Sequence, residues 1–366
     1  MNQITAKELD EGKDKSILIL DVRQGDKFND WHIKGSENID VYDDIWAGNL
    51  DITKQKLNHL PKDRKIVTVC NAGITSQNVS KLLESMGYKT MVLENGMTGW
   101  NRLHKAVNVI DDNDLLIKQI IRIGKGCLSY LVGSKSTKEC FIIDPSQFFE
   151  EYLKLVKEIF KIKGVIETHV HADHISGAKV LAEITKTKYY VSGNDFKAKT
   201  DFIDLRETKE IYIGNNTIKV IETPGHTDGS VCLLINNKVL LTGDTLFLEG
   251  TGRPDLRSKE DIKKSMSLLF NSLDKLKQMD KNLIILPAHF TNYNKTPICE
   301  KLITLLEDNK TLRINSRQEF LDHILHNLPT TPPNYEQIKN ININGIQVIT
   351  QIGEKLELGP NRCASL

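Results

Sequence analysis

No two of the six cysteines (residues 70, 127, 140, 232, 299 and 363) form a Cys-x-x-Cys pair. Thiols scattered in this way suit a reducing compartment better than a disulfide framework, so a cytoplasmic location is expected. Long hydrophobic runs are also missing. The longest apolar stretches, such as Ile17–Leu20 and Leu283–Pro287, fall far short of the ~18 residues needed to span a membrane. The start, MNQITAKELDEGKD, lacks a basic stretch followed by an apolar one, so no secretory leader is expected. Nor does one sign of charge dominate: 49 Lys and Arg face 48 Asp and Glu, a net charge of +1. Phosphate binding shows as a basic excess or stripe, so this balance argues against nucleic acid as a partner. There is no internal repeat and no low-complexity block. What remains, 366 residues with 39% apolar and 27% charged side chains, is ordinary for a soluble globular chain. At ~150 residues per domain, two domains are expected.

The first hundred residues alternate strands with helices. SILILDV (16–22), KIVTVC (65–70) and TMVLE (90–94) read as strands. Residues 76–86 read as a helix, with Val79, Leu82, Leu83 and Met86 at helical spacing and Gly87 just beyond as a C-terminal stop. Strands separated by helical segments predict a parallel sheet flanked by helices. The acidic run Asp111-Asp112-Asn113-Asp114 reads as the link to a second domain, giving domains at 1–108 and 109–366. Beyond it the pattern is rich in β-strand: KQIIRIG, LSYLVG, ECFIID, GVIETHVH, KYYVSG, TIKVIETPG and SVCLLINNKVLLTGD. Asn236-Asn237 predicts a hairpin turn, and helices are expected at 148–162, 175–185, 259–277 and 316–326.

Cys70 ends an apolar strand and precedes Asn71-Ala72-Gly73-Ile74-Thr75 and a helix. A thiol there sits among free backbone N–H groups at the positive end of a helix dipole, which stabilises an anion on or attached to the sulfur. By itself a cysteine ending a strand is more often buried core. The surrounding residues resemble a rhodanese domain over 1–105: DVRQGDKFNDWHIKGSENI (21–39), the six-residue loop opened by Cys70, and the closing LENGMTGW (93–100). The resemblance implies that Cys70 is the catalytic nucleophile, carrying sulfane sulfur as a persulfide cradled by residues 71–75. Members that use thiosulfate often end this loop in Arg, whereas this chain has Thr75, which disfavours an oxyanion donor. Asp21, Arg23 and His32 read as structural.

Histidine gathers elsewhere. His169-Val170-His171-Ala172-Asp173-His174 follows the strand GVIET; Thr223-Pro224-Gly225-His226, Gly243-Asp244 and Pro287-Ala288-His289 come later. Five of the ten histidines and two aspartates, all at strand-end loops, point to a metal centre. Imidazole and carboxylate donors suit Zn, Fe or Mn.

These motifs resemble the metallo-β-lactamase fold, an αββα sandwich. Within it, THVHADHISG (168–177), Gly243-Asp244 through Gly252-Arg253-Pro254-Asp255, Cys127-Leu-Ser-Tyr-Leu, FIIDP (141–145) and Asn361-Arg362-Cys363 are similar to persulfide dioxygenases over about 114–366. An extra segment lies around 340–355. The resemblance implies one Fe(II) per chain held by His169, His226 and Asp244, with O2 as co-substrate. His171, Asp173, His174 and His289 would orient and protonate nearby, or bind a second metal as in two-metal relatives. Thr227 and Arg253 are candidate glutathionyl contacts, with an ion pair to Asp255 the alternative for Arg253. Phe290-Thr291 replaces the family's usual Asp-Tyr after the last histidine, and Tyr293 follows. The implied activity is oxidation of glutathione persulfide to sulfite and glutathione. The rhodanese domain would move sulfane sulfur between persulfide, sulfite and thiosulfate. A zinc-dependent glyoxalase II-like hydrolase of glutathione thioesters, carrying a sulfurtransferase module, is the alternative. The carrier thiol, the direction of the sulfur step and a homodimer stay open at this point.

Overall fold

The structure is a computed structural model that describes residues 2–12, 16–256, 261–291 and 295–365. It divides into two compact units. The first comprises residues 1–103 with 122–125 and 358–360; the second comprises 104–121, 126–357 and 361–366.

The first unit is built on a five-stranded parallel sheet. Its middle strands Ile17–Asp21 and Lys65–Val69 are almost wholly buried, as expected for parallel strands covered on both faces. Helix Ile74–Ser85 turns Val79, Leu82 and Leu83 onto one face of the sheet, against Leu18, Leu20 and Ile66. Leu9, Met97 and Trp100 cover the other face. The helix begins at Ile74, two residues before the expected start, and Gly87 adopts φ +84 just past its end.

The second unit stacks two sheets, of seven and six strands. Helices Phe149–Val156 and Ala178–Thr185 bury Tyr152, Val156, Ala178 and Leu181 in the core of the seven-stranded sheet. Helices Ile262–Lys277, Leu302–Asp308 and Arg317–His326 contribute Leu269, Leu273, Leu305 and Phe320 to that of the six-stranded sheet. This is the expected αββα layering. Asn236 and Asn237 take φ +49 and +53 between strands Val231–Ile235 and Val239–Gly243, as the hairpin reading required.

Two sequence expectations fail locally. The acidic run does not link the units: Asp112 N donates to Leu115 O (2.9 Å) where strand His104–Asp111 turns into strand Leu115–Arg122. Its polarity serves that turn, with Asp114 Oδ1 accepting from Ser134 Oγ and Ser136 N, and the break between units falls at 103/104. The helix expected over 148–162 is only Phe149–Val156, because Glu158 turns at φ +63 and Lys161–Ile166 pairs as a strand with Glu139–Ile143. The expected helix starts at 175 and 316 shift by one to three residues, and residues 259–260 lie outside the described residues. Among the described residues no helix is long and apolar enough to cross a membrane.

Candidate active sites: a sulfur loop and a metal centre

Cys70 stands one residue beyond strand Lys65–Val69 and is buried. Gly73, at φ +91, bends the loop so that its N–H donates to Cys70 Sγ at 3.1 Å, and Ser76 Oγ lies 3.3 Å from the same sulfur. The thiol therefore faces a backbone donor, a hydroxyl and the start of a twelve-residue helix. This cradle for a sulfur-borne anion needs no charged side chain. The closing LENGMTGW element holds the loop's other side: Met97 N donates to Cys70 O (2.8 Å) and Thr98 N to Asn71 O (3.0 Å). Gly96 makes that approach feasible, since a Cβ there would lie 2.1 Å from Cys70 O, on a backbone at φ +52. Asn71, Ala72 and Ile74 are exposed, whereas Thr75 is buried and accepts a hydrogen bond from Trp46 Nε1 (3.2 Å). Asp21 and Arg23 form a buried ion pair (2.7 Å), and exposed His32 lies stacked on Phe28. Both arrangements match the structural reading of those residues.

In the second unit, four strand ends bring the histidine motifs together. His169, His171, Asp173 and His174 follow strand Lys161–Ile166; His226 follows Asn216–Glu222; Asp244 follows Val239–Gly243; His289 follows Ile284–Pro287. All seven side chains are buried. His226 Nε2 lies 3.3 Å and His169 Nε2 3.7 Å from Asp244 Oδ2. Their outer nitrogens are committed. His226 Nδ1–H donates to Arg253 O (2.7 Å). Thr168 Oγ1 gives its proton to Asp144 Oδ2 (2.8 Å) and so receives His169 Nδ1–H (3.0 Å). Each ring thereby presents an unprotonated Nε2 inward, the tautomer a metal requires. These two Nε2 atoms and both oxygens of Asp244 are buried without a hydrogen-bond partner, an arrangement costly unless a cation meets them. The three residues offer donor atoms within 4.8 Å of one another. The donor set therefore fits a metal ion. Burial works against charge on Asp244, yet His289, His169 and His226 outweigh it and hold the carboxyl well below the usual carboxylate range. Burial and neighbouring His171 push His169 the other way, toward the neutral ligand form.

Residues 122–289 match the model of the metallo-beta-lactamase superfamily, and residues 5–103 match that of the rhodanese-like domain. The chain is 30% identical to hydroxyacylglutathione hydrolase of Pelagibacter ubique over 235 residues, covering 62% of this chain and 90% of that enzyme. The chain belongs to the metallo-beta-lactamase superfamily. It is also 29% identical to the mitochondrial persulfide dioxygenase ETHE1 of Mus musculus, over 48% of this chain and 68% of the mouse protein. The crystal structure of ETHE1 from Myxococcus xanthus superposes with a TM-score of 0.54 at 28% identity, covering 62% of this chain and 96% of that one. An N-terminal rhodanese-like domain thus precedes a metallo-beta-lactamase domain.

The superfamily's remaining motif residues are treated differently from the first three. Asn361 Nδ2 donates to Asp173 Oδ2 (2.8 Å) and lies 2.9 Å from His289 Nδ1. Cys127 Sγ donates to the same Asp173 oxygen (3.2 Å), and His174 Nδ1 lies 3.0 Å from Asp173 Oδ1. Cys363 offers its thiol within 4.8 Å of donor atoms of Asp173 and His289, as Cys127 does with Asp173 and His174, so these trios too are sets of possible metal donors. Asp173, His174 and His289 are therefore engaged by protein side chains, whereas His171, 3.4 Å from Asp144 Oδ1, lacks an aligned partner. Cys127 and Cys363 lie in quoted motifs but were given no site role by the sequence. Their role was hidden because the contacts are made by residues 46 and more positions apart.

Neither candidate glutathionyl contact is unencumbered. Every guanidinium nitrogen of buried Arg253 is engaged, by Asp255 on both oxygens (2.7 Å) and by Thr330 O and Arg362 O, so the ion-pair reading is the one that matches. Half-buried Thr227 donates to Asp195 Oδ2 (2.6 Å). Asp195, unnoticed in the sequence, also receives Val170 N and Gly229 N, tying the first histidine loop to the His226 turn. Asp144 is a second missed support, although its FIIDP motif was visible. Tyr293 lies outside the described residues.

Proposed function

We propose that this chain oxidises a low-molecular-weight persulfide, glutathione persulfide in the first instance, at a mononuclear iron centre and transfers sulfane sulfur through Cys70. The division of the seven motif residues carries this reading. His169 Nε2, His226 Nε2 and the Asp244 oxygens lack a hydrogen-bond partner, with His289 Nε2 3.2 Å from Asp244 Oδ1, while Asp173 accepts from Asn361 and Cys127 and His289 Nδ1 faces Asn361. Cys127–Asp173–His174 and Asp173–His289–Cys363 also gather donor atoms within 4.8 Å, but Asp173, common to both, already accepts from Asn361 and Cys127, which favours one metal over two. Two histidines and a carboxylate on one side of an ion are the donor set of non-haem Fe(II) oxygenases.

Fe(II) held by this triad would supply the redox chemistry by which O2 oxidises a terminal persulfide sulfur. The balance is RSSH + O2 + H2O → RSH + SO3²⁻ + 2H⁺, in which the S–S bond breaks and the outer sulfur leaves as sulfite. The chain's own residues do the rest. Thr168 with Asp144, and Arg253 O, hold the two imidazoles with Nε2 inward. At the other site Cys70 takes sulfane sulfur from a second persulfide and Gly73 N–H stabilises the charged product. Attack by sulfite then gives thiosulfate: RSSH + SO3²⁻ → RSH + S2O3²⁻. The loop itself carries no charged side chain, with Ile74 exposed and Thr75 bound by Trp46. Its nearby guanidinium, Arg23, which donates to Asn71 Oδ1 (3.4 Å), is paired with Asp21, and this suits a thiol-borne persulfide better than an oxyanion donor.

The similarity to hydroxyacylglutathione hydrolase, over 90% of that enzyme, favours a second reading, zinc-dependent hydrolysis of glutathione thioesters. Metal analysis of the purified protein together with an oxygen-electrode trace on adding glutathione persulfide separates the two. About one iron per chain with rapid O2 consumption is the expected result. Two zinc ions, no O2 uptake and hydrolysis of S-lactoylglutathione would replace it with the second reading.

A further inference from the structure

The segment that the sequence marks as extra folds into two short helices, Tyr335–Ile343 and Thr350–Glu357, joined where Asn334 Nδ2 donates to Leu356 O (3.1 Å). It lies beyond residue 289, where the superfamily match ends. Two of its polar side chains are buried and directed at the histidine loop. Asn342 Nδ2 donates to His171 O and to His174 O, both at 2.8 Å, while Asn342 Oδ1 accepts from Ser176 N at 3.1 Å. Glu357 Oε2 accepts from Ile175 N at 2.8 Å.

A strand-end loop carrying four motif residues in six positions cannot satisfy its backbone by regular structure, and buried backbone groups left unpaired are costly. Here a single amide side chain closes three of them and a carboxylate a fourth. The carbonyls Asn342 grips belong to His171 and His174, the two residues that bracket Asp173. Fixing them fixes the direction in which all three side chains leave the backbone. The first ligand, His169, has its own support in Thr168 and Asp144. The opposite end of the loop is held by the helical pair together with the backbone of residues 145–147, where Gln147 N donates to Ile175 O (3.0 Å) and Gly177 N to Pro145 O (2.8 Å).

We infer that Asn342 and Glu357 are positioning residues for the metal centre, and that the pair of helices is a brace which holds the far end of the loop that begins at the ligand His169, setting His171, Asp173 and His174 beside the metal. This rests on the assignment of His169, His226 and Asp244 as metal ligands. It does not depend on which reaction the metal serves, because the brace acts on backbone geometry. Neither side chain touches substrate or metal, so removing it should loosen the centre without deleting a ligand. Supporting groups behind metal ligands typically contribute ~10–100-fold in metal affinity.

The test is titration of the metal-free full-length protein with Co(II), followed by its ligand-field absorption, beside thermal unfolding of the same metal-free samples. Asn342→Ala should weaken Co(II) binding about 10–100-fold and change the visible spectrum. Asn342→Asp keeps the shape and the acceptor for Ser176 N but loses both donors, so it should show the same loss even if the alanine variant folds poorly. Glu357→Ala should weaken binding, and Glu357→Gln, which keeps an acceptor for Ile175 N, should restore most of it. If Asn342→Asp binds Co(II) with unchanged affinity and spectrum, whether or not its unfolding temperature falls, the brace is structural only and the inference is wrong. Asp244→Ala run alongside isolates the other failure: undiminished Co(II) binding there would overturn the ligand assignment, not the brace.

Discussion

The two sites handle sulfur with opposite physics. At Cys70 the machinery is backbone: a glycine N–H, a helix start and a neighbouring hydroxyl, with Asn71, Ala72 and Ile74 exposed around them. At the metal centre the machinery is side chains, all buried, with an aspartate held charged against its burial, chiefly by neighbouring His289. A persulfide is a diffuse anion that needs only dipoles. A metal needs fixed lone pairs in a low-dielectric pocket, and those must be kept from pairing with the protein. One site is therefore short in sequence and open, whereas the other is assembled from residues spanning 169 to 289 and closed.

The sharpest way to break this comparison is to remove one centre and watch the other. Asp244→Ala deletes a ligand and leaves two imidazoles, so metal content and O2 uptake should fall to background while persulfide-to-sulfite sulfur transfer continues. Cys70→Ser should do the reverse, abolishing thiosulfate formation and sparing O2 uptake. Metal analysis, an oxygen electrode and a thiosulfate assay on both variants check the pair. Loss of oxygen consumption in Cys70→Ser would end the two-site picture.

A smaller effect is expected from Gly96→Ala. The added Cβ meets Cys70 O on a backbone at φ +52, so strain and overpacking together should cost about 2–4 kcal/mol. Denaturant unfolding should show the loss and sulfur transfer should fall, with metal binding intact. A wild-type midpoint would mean that the closing element is looser than its hydrogen bonds to residues 70 and 71 indicate.

How much of this could be read in advance follows the same division. Local patterns were legible: the helix after Cys70 from Val79, Leu82 and Leu83, and the hairpin at Asn236-Asn237. Metal motifs were legible because a metal demands rare residue types in fixed sets. Supports were not. Asp195, Asn342 and Glu357 are ordinary polar residues in sequence, and only long-range folding brings them to partners 25 to 182 positions away. Asn361 lies in a recognisable motif, but its contact with Asp173, 188 positions away, was not legible. The acidic run near 112 misled for a related reason, since a turn and a linker draw on the same residues.

Asn361 offers a finer probe of the metal side. If its amide keeps Asp173 and His289 from binding a second ion, Asn361→Ala should raise the zinc stoichiometry of the reconstituted protein from about one toward two, the second ion weaker because Cys127 still holds Asp173. Equilibrium dialysis against zinc reads this directly. A stoichiometry fixed at one would assign the single-metal preference to Cys127 or to the loop's geometry.

The smallest expected effect tests the claim that the sulfur site works without charge. Thr75 is the last loop residue, buried, with its hydroxyl receiving Trp46 Nε1. Thr75→Arg would trade that contact for a cation at the loop's mouth, displacing Trp46, which is already 57% exposed. A unit charge about 4 Å from an anion in water contributes ~1 kcal/mol, so the gain for thiosulfate over a thiol-borne persulfide should be roughly fivefold, and smaller at high salt. Competition between the two donors, followed by labelled sulfur on Cys70, measures the ratio at two ionic strengths. A shift that ignores salt would trace to the lost Trp46 contact and a reshaped mouth, and the uncharged character of the loop would then not be what selects its donor.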